Sequence, residues 1–220
     1  MKKSSEKHVY LVEDDLELSM ALKMTLETEG FICHDCFTKE EFFQKFEQNN
    51  SEKQKNSSSI ILDIKLGNVS GLDIFDSIHA DFKYMTYPVI FLTGHGDISL
   101  ATYSLKNGAF DFLTKPVSEK RLLETINLSM VESQKRIDDK NFIESWIDRK
   151  TKLTEKETDT MYLICSGNTN KEISSKMGNS VRTVELHRAR IFEKLKFSSA
   201  VELASNYEKY VNLKLKYNVK

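Results

Sequence analysis

The chain has 220 residues, 40% of them hydrophobic and 30% charged, enough apolar material for one or two packed domains and too much for a disordered or fibrous protein. Its longest uninterrupted apolar run is the five residues 161–165, too short to span a bilayer, and Glu13, Asp14 and Asp15 follow the basic start before any stretch that could serve as a signal peptide. Three cysteines make no disulfide framework and fit a reducing cytoplasm. The net charge of −1 is a sum of unlike parts. Residues 1–132 carry 14 Lys/Arg against 21 Asp/Glu, a net of −7, while residues 133–220 carry 18 against 12, a net of +6. An acidic module joined to one that meets a polyanion is the reading this asymmetry favours.

In chain order, apolar runs at Val9–Val12, Phe31–Asp35, Ile60–Leu62, Pro88–Leu92 and Phe110–Leu113 predict five strands. Helical spacing over Leu16–Glu29, Lys39–Gln48, Leu72–Phe82, Ile98–Asn107 and from Leu122 through Ile126 to Met130 predicts a helix after each. That alternation implies a doubly wound parallel sheet with both faces covered. The polar stretch Glu52–Ser59 reads as a surface loop. The charged segment Ser133–Lys150, without Gly or Pro, reads as a helical extension ending in a hinge, with a boundary near 148–152. Beyond it the chain reads as all-helical. Thr154 and Glu157 form a capping box for a helix to Cys165, with Gly167 as its left-handed cap. Asn170–Lys176, a turn at Gly178 and a helix capped by Ser180 and running to Leu195 make a helix-turn-helix, and a fourth helix follows over Val201–Val211.

In an open parallel sheet the ligand site lies beyond the carboxyl ends of the strands. Those ends carry Glu13 and Asp14, Asp63, Thr93, and Lys115-Pro116, the last a candidate cis peptide. Converging carboxylates repel one another and favour a hard divalent cation such as Mg²⁺, with Lys115 as a fixed cation and Thr93 as a hydroxyl donor to a phosphoryl oxygen. A carboxylate in that setting is a competent phosphoryl acceptor.

The stretches Val12-Glu13-Asp14-Asp15, Leu62-Asp63-Ile64-Lys65, Leu92-Thr93-Gly94-His95-Gly96-Asp97 and Phe110-Asp111-Phe112-Leu113-Thr114-Lys115-Pro116 resemble the response-regulator receiver domain. The resemblance covers about residues 7–131 and implies phosphorylation of Asp63 by a sensor histidine kinase. It also implies Asp14 as a direct Mg²⁺ ligand, Glu13 acting through water and Lys65 giving its backbone carbonyl. Thr93 and Phe112 match the pair that reports phosphorylation to the face of the fourth helix, fifth strand and fifth helix. Two departures stand out: Gly67-Asn68 replaces the usual Pro-Gly, which predicts a less rigid loop, and the acidic pair begins with Glu rather than Asp. Lys65 and His95, two residues beyond Asp63 and Thr93, are expected to tune the lifetime of the phosphoryl group.

Leu153-Thr154-Glu155-Lys156-Glu157, Gly167 to Ile173 and Arg182-Thr183-Val184-Glu185-Leu186-His187-Arg188 resemble the LuxR-type DNA-binding domain, over about 150–212, with 132–149 as a helical linker. With the receiver, this is similar to the NarL/FixJ class of transcriptional regulators and implies promoter DNA as partner and a homodimer on phosphorylation. Asn179 stands where an apolar turn residue is usual, which predicts looser packing there. Independently, a 100° advance per residue puts Val181, Val184, Ile191 and Leu195 on one buried stripe, with Arg182, Glu185, Leu186, Ala189 and Glu193 opposite. Glu185, Leu186 and Ala189 are placed to meet base edges, and Lys171, Arg182, Thr183, Arg190 and Lys194 to meet phosphates. Competing readings are a phosphorelay shuttle whose helical end binds protein, and a hydrolase using Asp63 as nucleophile. The Cys33-x-x-Cys36 spacing reads as strand filler, because no second ligand pair accompanies it.

Overall fold

The structure, a computed structural model, describes residues 6–49, 56–94 and 103–219. The chain forms two compact units, Met1–Asp138 and Asp139–Lys220. In the first, strands β1 (Lys7–Val12), β2 (Ile32–Cys36), β3 (Ser57–Asp63), β6 (Val89–Thr93) and β7 (Asp111–Thr114) form a parallel sheet in the order β2-β1-β3-β6-β7. A ribbon of two-residue strands, β4 (Lys65–Leu66) and β5 (Val69–Ser70), follows β3. Helices α1 (Leu16–Thr28), α2 (Lys39–Asn49) and α3 (Gly71–His79), a helical segment at 103–106 (α4), and the start of α5 (Glu119–Lys150) complete it.

Strand side chains alternate between two apolar cores. Tyr10, Val12, Ile60, Leu62 and Phe91 meet Phe42 and Phe46 of α2 and Ile74, Phe75 and Ile78 of α3. Val9, Leu11, Ile61, Ile90 and Leu92 meet Leu22 and Leu26 of α1 and Leu122, Ile126 and Met130 of α5. Cys33 and Cys36 fall in opposite cores, and burial pushes both thiols up to about 12, so neither is a thiolate at neutral pH and the filler reading stands.

Three expectations are corrected. Ser57–Ser59 are not loop but the buried start of β3. Their polar groups are satisfied from within: the Ser58 N–H donates to Ser133 Oγ (2.9 Å), Ser133 Oγ to the Thr86 carbonyl (2.8 Å), Ser129 Oγ to Ser59 Oγ (2.9 Å) and Ser59 Oγ to the Pro88 carbonyl (3.3 Å). A hydrophilic run can therefore lie inside a sheet when a helix supplies matching hydroxyls. The helix expected to reach Phe82 ends at His79, because the Asp81 carboxylate accepts from the Lys83 N–H (2.9 Å) and opens a separate 3₁₀ turn at Phe82–Tyr84. The third concerns the linker expected over 132–149. Those residues are helical, as expected, yet Ile143 and Trp146 among them are buried within the second unit.

That unit adds α6 (Glu155–Cys165), α7 (Asn170–Met177), α8 (Val181–Leu195) and α9 (Ala200–Lys216) around Met161, Ile164, Ile173, Val184, Ile191, Leu195 and Leu203. Capping boxes at Thr154/Glu157 and Thr169/Glu172 open α6 and α7, Gly178 closes α7 in the left-handed conformation, and Ser180 caps α8. Asn179, where looser packing was expected, is tied to Ser174 through its backbone N–H (3.1 Å) and carbonyl.

On the α2 side of the sheet, His8 of β1 and His34 of β2 lie edge to edge. His8 Nδ1 and His34 Nε2 are 3.0 Å apart, with ring planes within 2° and centroids 5.3 Å apart, so the nitrogens lie between the rings and share one hydrogen. Burial first, then the charges of His8 and Lys45, lower the His34 pKa to about 4. The unfolded chain therefore binds a proton near pH 6.5 that the folded chain refuses, and stability present above pH 6.5 is lost as pH falls toward 4. Urea unfolding should show a loss of about 2 kcal/mol between pH 7.5 and 5 that is absent in His34→Gln. Equal pH slopes for the two proteins would show that this histidine titrates normally.

Candidate functional site

Four strand ends converge at the carboxyl edge of the sheet. Glu13 (1% exposed) and Asp14 follow β1, Asp63 (6%) ends β3, Thr93 (4%) ends β6 and Lys115 follows β7. The carboxylates of Glu13, Asp14 and Asp63 lie within 4.8 Å of one another. Lys115 Nζ bridges two of them, at 2.5 Å from Glu13 Oε2 and 2.7 Å from Asp63 Oδ2. Its backbone is fixed by a bond from its N–H to the Thr93 carbonyl (2.6 Å), and the Lys115–Pro116 peptide is cis.

Backbone donors hold the other carboxylate oxygens. The Lys65 N–H donates to Asp63 Oδ1 (3.1 Å), the Gly67 N–H to Asp14 Oδ2 (2.8 Å) and the Asp15 N–H to Glu13 Oε1 (3.3 Å). Asp15 faces away from the cluster and caps α1, accepting from the N–H groups of Glu17 and Leu18. Gly67 takes a φ of 55° at the tip of the β4–β5 ribbon, a conformation that glycine adopts freely. The Gly67-Asn68 departure therefore closes a hydrogen-bonded ribbon that reaches Asp14. Neither this backbone donor nor Gly71 was singled out in the sequence; a glycine ahead of a helix was the only signal.

The cluster holds more negative than positive charge. Burial, joined by the neighbouring Asp63 charge, raises the Glu13 carboxyl pKa despite its hydrogen bond from Lys115. Burial works against the Lys115 ammonium, but its bonds to Asp63 and Glu13 outweigh that and raise its pKa. Both directions say that the site favours additional positive charge. Its all-oxygen donor set, with two buried carboxylates and one exposed, fits a hard divalent cation such as Mg²⁺. Among the described residues no other group of three or more acidic, histidine or cysteine side chains gathers in this way.

Thr93 and Phe112 stand on adjacent strands, in a register that pairs Phe91 with Phe112 and Thr93 with Thr114, so they share one face of the sheet. Phe112 is half-buried against the core on that face. Tyr103 and Leu105 of α4 are exposed nearby in sequence, and His95 and the first half of the expected 98–107 helix, residues 98–102, lie outside the described residues.

In the second unit α8 presents the face expected of it. Arg182, Glu185, Leu186, Ala189, Arg190 and Glu193 are exposed, Leu186 by 54%, and Val184, Ile191 and Leu195 are buried. Val181 departs from the expected stripe at 39% exposed, because it occupies the first helical position, beyond the edge of the core. Lys171 of α7 is exposed. Thr183 Oγ1 lies 2.9 Å from the capping Ser180 Oγ. Lys194, expected at a phosphate, is engaged inside the protein: its Nζ lies 2.6 Å from Oε2 of the buried Glu157. Arg188 covers the Phe192 ring at 5.5 Å.

A parallel five-stranded sheet carrying this acid cluster, with a helix-turn-helix in the same chain, defines a two-component response regulator. Comparison with known proteins agrees. Residues 9–127 match the response regulator receiver domain and residues 151–206 the luxR family of bacterial regulatory proteins, and the chain belongs to the response regulators that join these two domains. It is 32% identical to the tetrathionate response regulatory protein TtrR of Salmonella typhimurium, over 91% of this chain and 92% of that one. It is 28% identical to the response regulator protein TodT of Pseudomonas putida, over 89% and 82%. Among solved structures, the response regulator StyR superposes with a TM-score of 0.71 at 26% identity, covering 94% of this chain and all of that one. Full-length FixJ of B. japonicum, at 23% identity and a TM-score of 0.54 over 95% of this chain and 99% of that one, shares the fold.

Gly71 tests how tightly the backbone frames the site. A Cβ at this position would lie 2.0 Å from the Asp63 carbonyl oxygen and 3.1 Å from Ile64 Cα. Gly71→Ala should therefore displace the strand end that carries Asp63 and destabilise the protein by about 1–3 kcal/mol, a loss that chemical denaturation of the variant beside the wild type measures.

Proposed function

We propose that Asp63 accepts a phosphoryl group from the phosphohistidine of a sensor histidine kinase and that this modification controls promoter binding by α8. The observation that carries the reading is the bridging of Asp63 and Glu13 by Lys115 beside the exposed Asp14. An oxygen of Asp63 attacks phosphorus in line as the phosphorus–nitrogen bond of the donor breaks. Lys115 moves from the Asp63 carboxylate to a phosphoryl oxygen, while its bond to Glu13 keeps it charged and aimed. The Lys65 N–H holds the other Asp63 oxygen in place. Bound at Asp14, Asp63 and the Lys65 carbonyl, with Glu13 acting through water, Mg²⁺ would neutralise charge on the transferred group.

The Thr93 hydroxyl then turns toward the phosphoryl group, and Phe112 rotates into the space it leaves. This reshapes the face bearing Tyr103, Leu105 and Lys106 and favours a homodimer. Two recognition helices meet half-sites arranged as an inverted repeat. Glu185, Leu186 and Ala189 read base edges, and Lys171, Arg182, Thr183 and Arg190 hold phosphates. Lys194, compensated by Glu157, serves mainly to hold α8.

Intact-mass spectrometry after incubation with acetyl phosphate and Mg²⁺ should show one added phosphoryl group on the wild type and none on Asp63→Asn. A full adduct on the variant would move the acceptor elsewhere.

A further inference from the structure

The C-terminal end of the recognition helix is held from outside the helix-turn-helix itself. The last carbonyls of a helix have no partner within it and carry its negative dipole end. At α8, Lys196 turns the chain left-handed (φ 58°), and the N–H groups of Lys196 and Phe197 return to the Phe192 carbonyl. The Leu195 carbonyl instead receives Arg149 Nη1 at 3.4 Å. The same guanidinium lies 5.8 Å from the Phe197 ring centroid, and Phe197 packs on Trp146 with ring centroids 5.7 Å apart. Arg149 and Trp146 both belong to the last turns of α5, ahead of the matched luxR-family segment at 151–206. On the same turn of α8, Lys194 is held by Glu157, whose carboxylate also closes the capping box of α6.

We propose that Arg149 is a positioning residue for DNA readout: by binding the Leu195 carbonyl and covering Phe197 it fixes the tilt of α8. Its guanidinium supplies a hydrogen-bond donor to a carbonyl that has no partner within the helix, and adds positive charge at the helix's negative end. Without it, α8 keeps its N-terminal cap and its core stripe but loses a restraint at the far end. A small pivot displaces Glu185, Leu186 and Ala189 from base edges that tolerate little error. Long, flexible phosphate contacts such as Lys171 and Arg182 follow such a pivot with little loss.

The test uses the full-length chain and a duplex that the wild type enriches from a randomised library, with a shuffled duplex as the non-specific competitor. Arg149 is half-exposed, so Arg149→Met opens no cavity, and a melting curve confirms that the variant is folded at the assay temperature. Arg149→Met should lose about tenfold in affinity for the selected duplex, while shuffled-duplex affinity and the salt slope stay near wild type. Arg149→Lys, which keeps a cation and a donor, should recover most of that loss. Selected-duplex affinity within twofold of wild type in Arg149→Met would overturn the proposal. So would an equal loss on both duplexes with a salt slope shallower by about one, the signature of a direct phosphate contact. The proposal rests on α8 as the recognition helix, and the two ideas fail differently: unchanged base preference in Leu186→Ala removes the recognition helix, while a silent Arg149→Met removes only the clamp.

Discussion

Lys115 between Glu13 and Asp63 is the interaction around which the first unit is organised. Two buried carboxylates this close to a third repel one another, and only a cation supplied from the opposite side of the same crevice makes their burial tolerable. A parallel sheet is well suited to provide it, because every strand delivers its carboxyl end to the same edge. The order β2-β1-β3-β6-β7 places the first, third, fourth and fifth main strands side by side there. One ammonium cannot balance three carboxylates; burial, joined by the Asp63 charge, raises the Glu13 pKa, and against burial the bonds to Asp63 and Glu13 raise that of Lys115. The site is thus poised for further positive charge, the condition under which a carboxylate can face an incoming phosphoryl group.

The second unit obeys a different constraint. It is built from helices alone, so many helix ends leave backbone groups unpaired, and side chains from neighbouring segments are used to satisfy some of them. Glu157 serves two helices at once, accepting from the Thr154 N–H of α6 and from Lys194 of α8. Arg149 does the same kind of work at the Leu195 carbonyl. Residues that the charge pattern marks as DNA-facing are in this way divided between surface and scaffold: Arg182 and Arg190 stay exposed, and Lys194 turns inward.

Two sets of buried polar groups in the first unit follow the same rule. The serines at the start of β3 are matched by Ser129 and Ser133 of α5, and His8 is matched by His34 across two strands. Each of these polar seams fixes a register that apolar packing alone would leave freer to slide.

Much of the fold and site was legible in the sequence. Apolar runs alternating with helical spacing determined the strand and helix order, and the strand-end rule located Glu13, Asp14, Asp63, Thr93 and Lys115 without reference to coordinates. Thr154, Gly178 and Ser180 marked helix ends because capping is local chemistry, set by residues three or four positions apart. What only the tertiary structure decided depends on partners distant in sequence. Ser57–Ser59 read as loop until α5 supplied their hydrogen bonds, 70 or more positions away. Lys194 read as a free cation until Glu157, 37 positions earlier, closed on it. Trp146, within the stretch 132–149 that read as linker, is instead packed by Phe197 and Tyr210. Periodicity and capping report what a segment does with its own neighbours; satisfaction of a buried charge or hydroxyl is settled by which distant segment the fold brings to it.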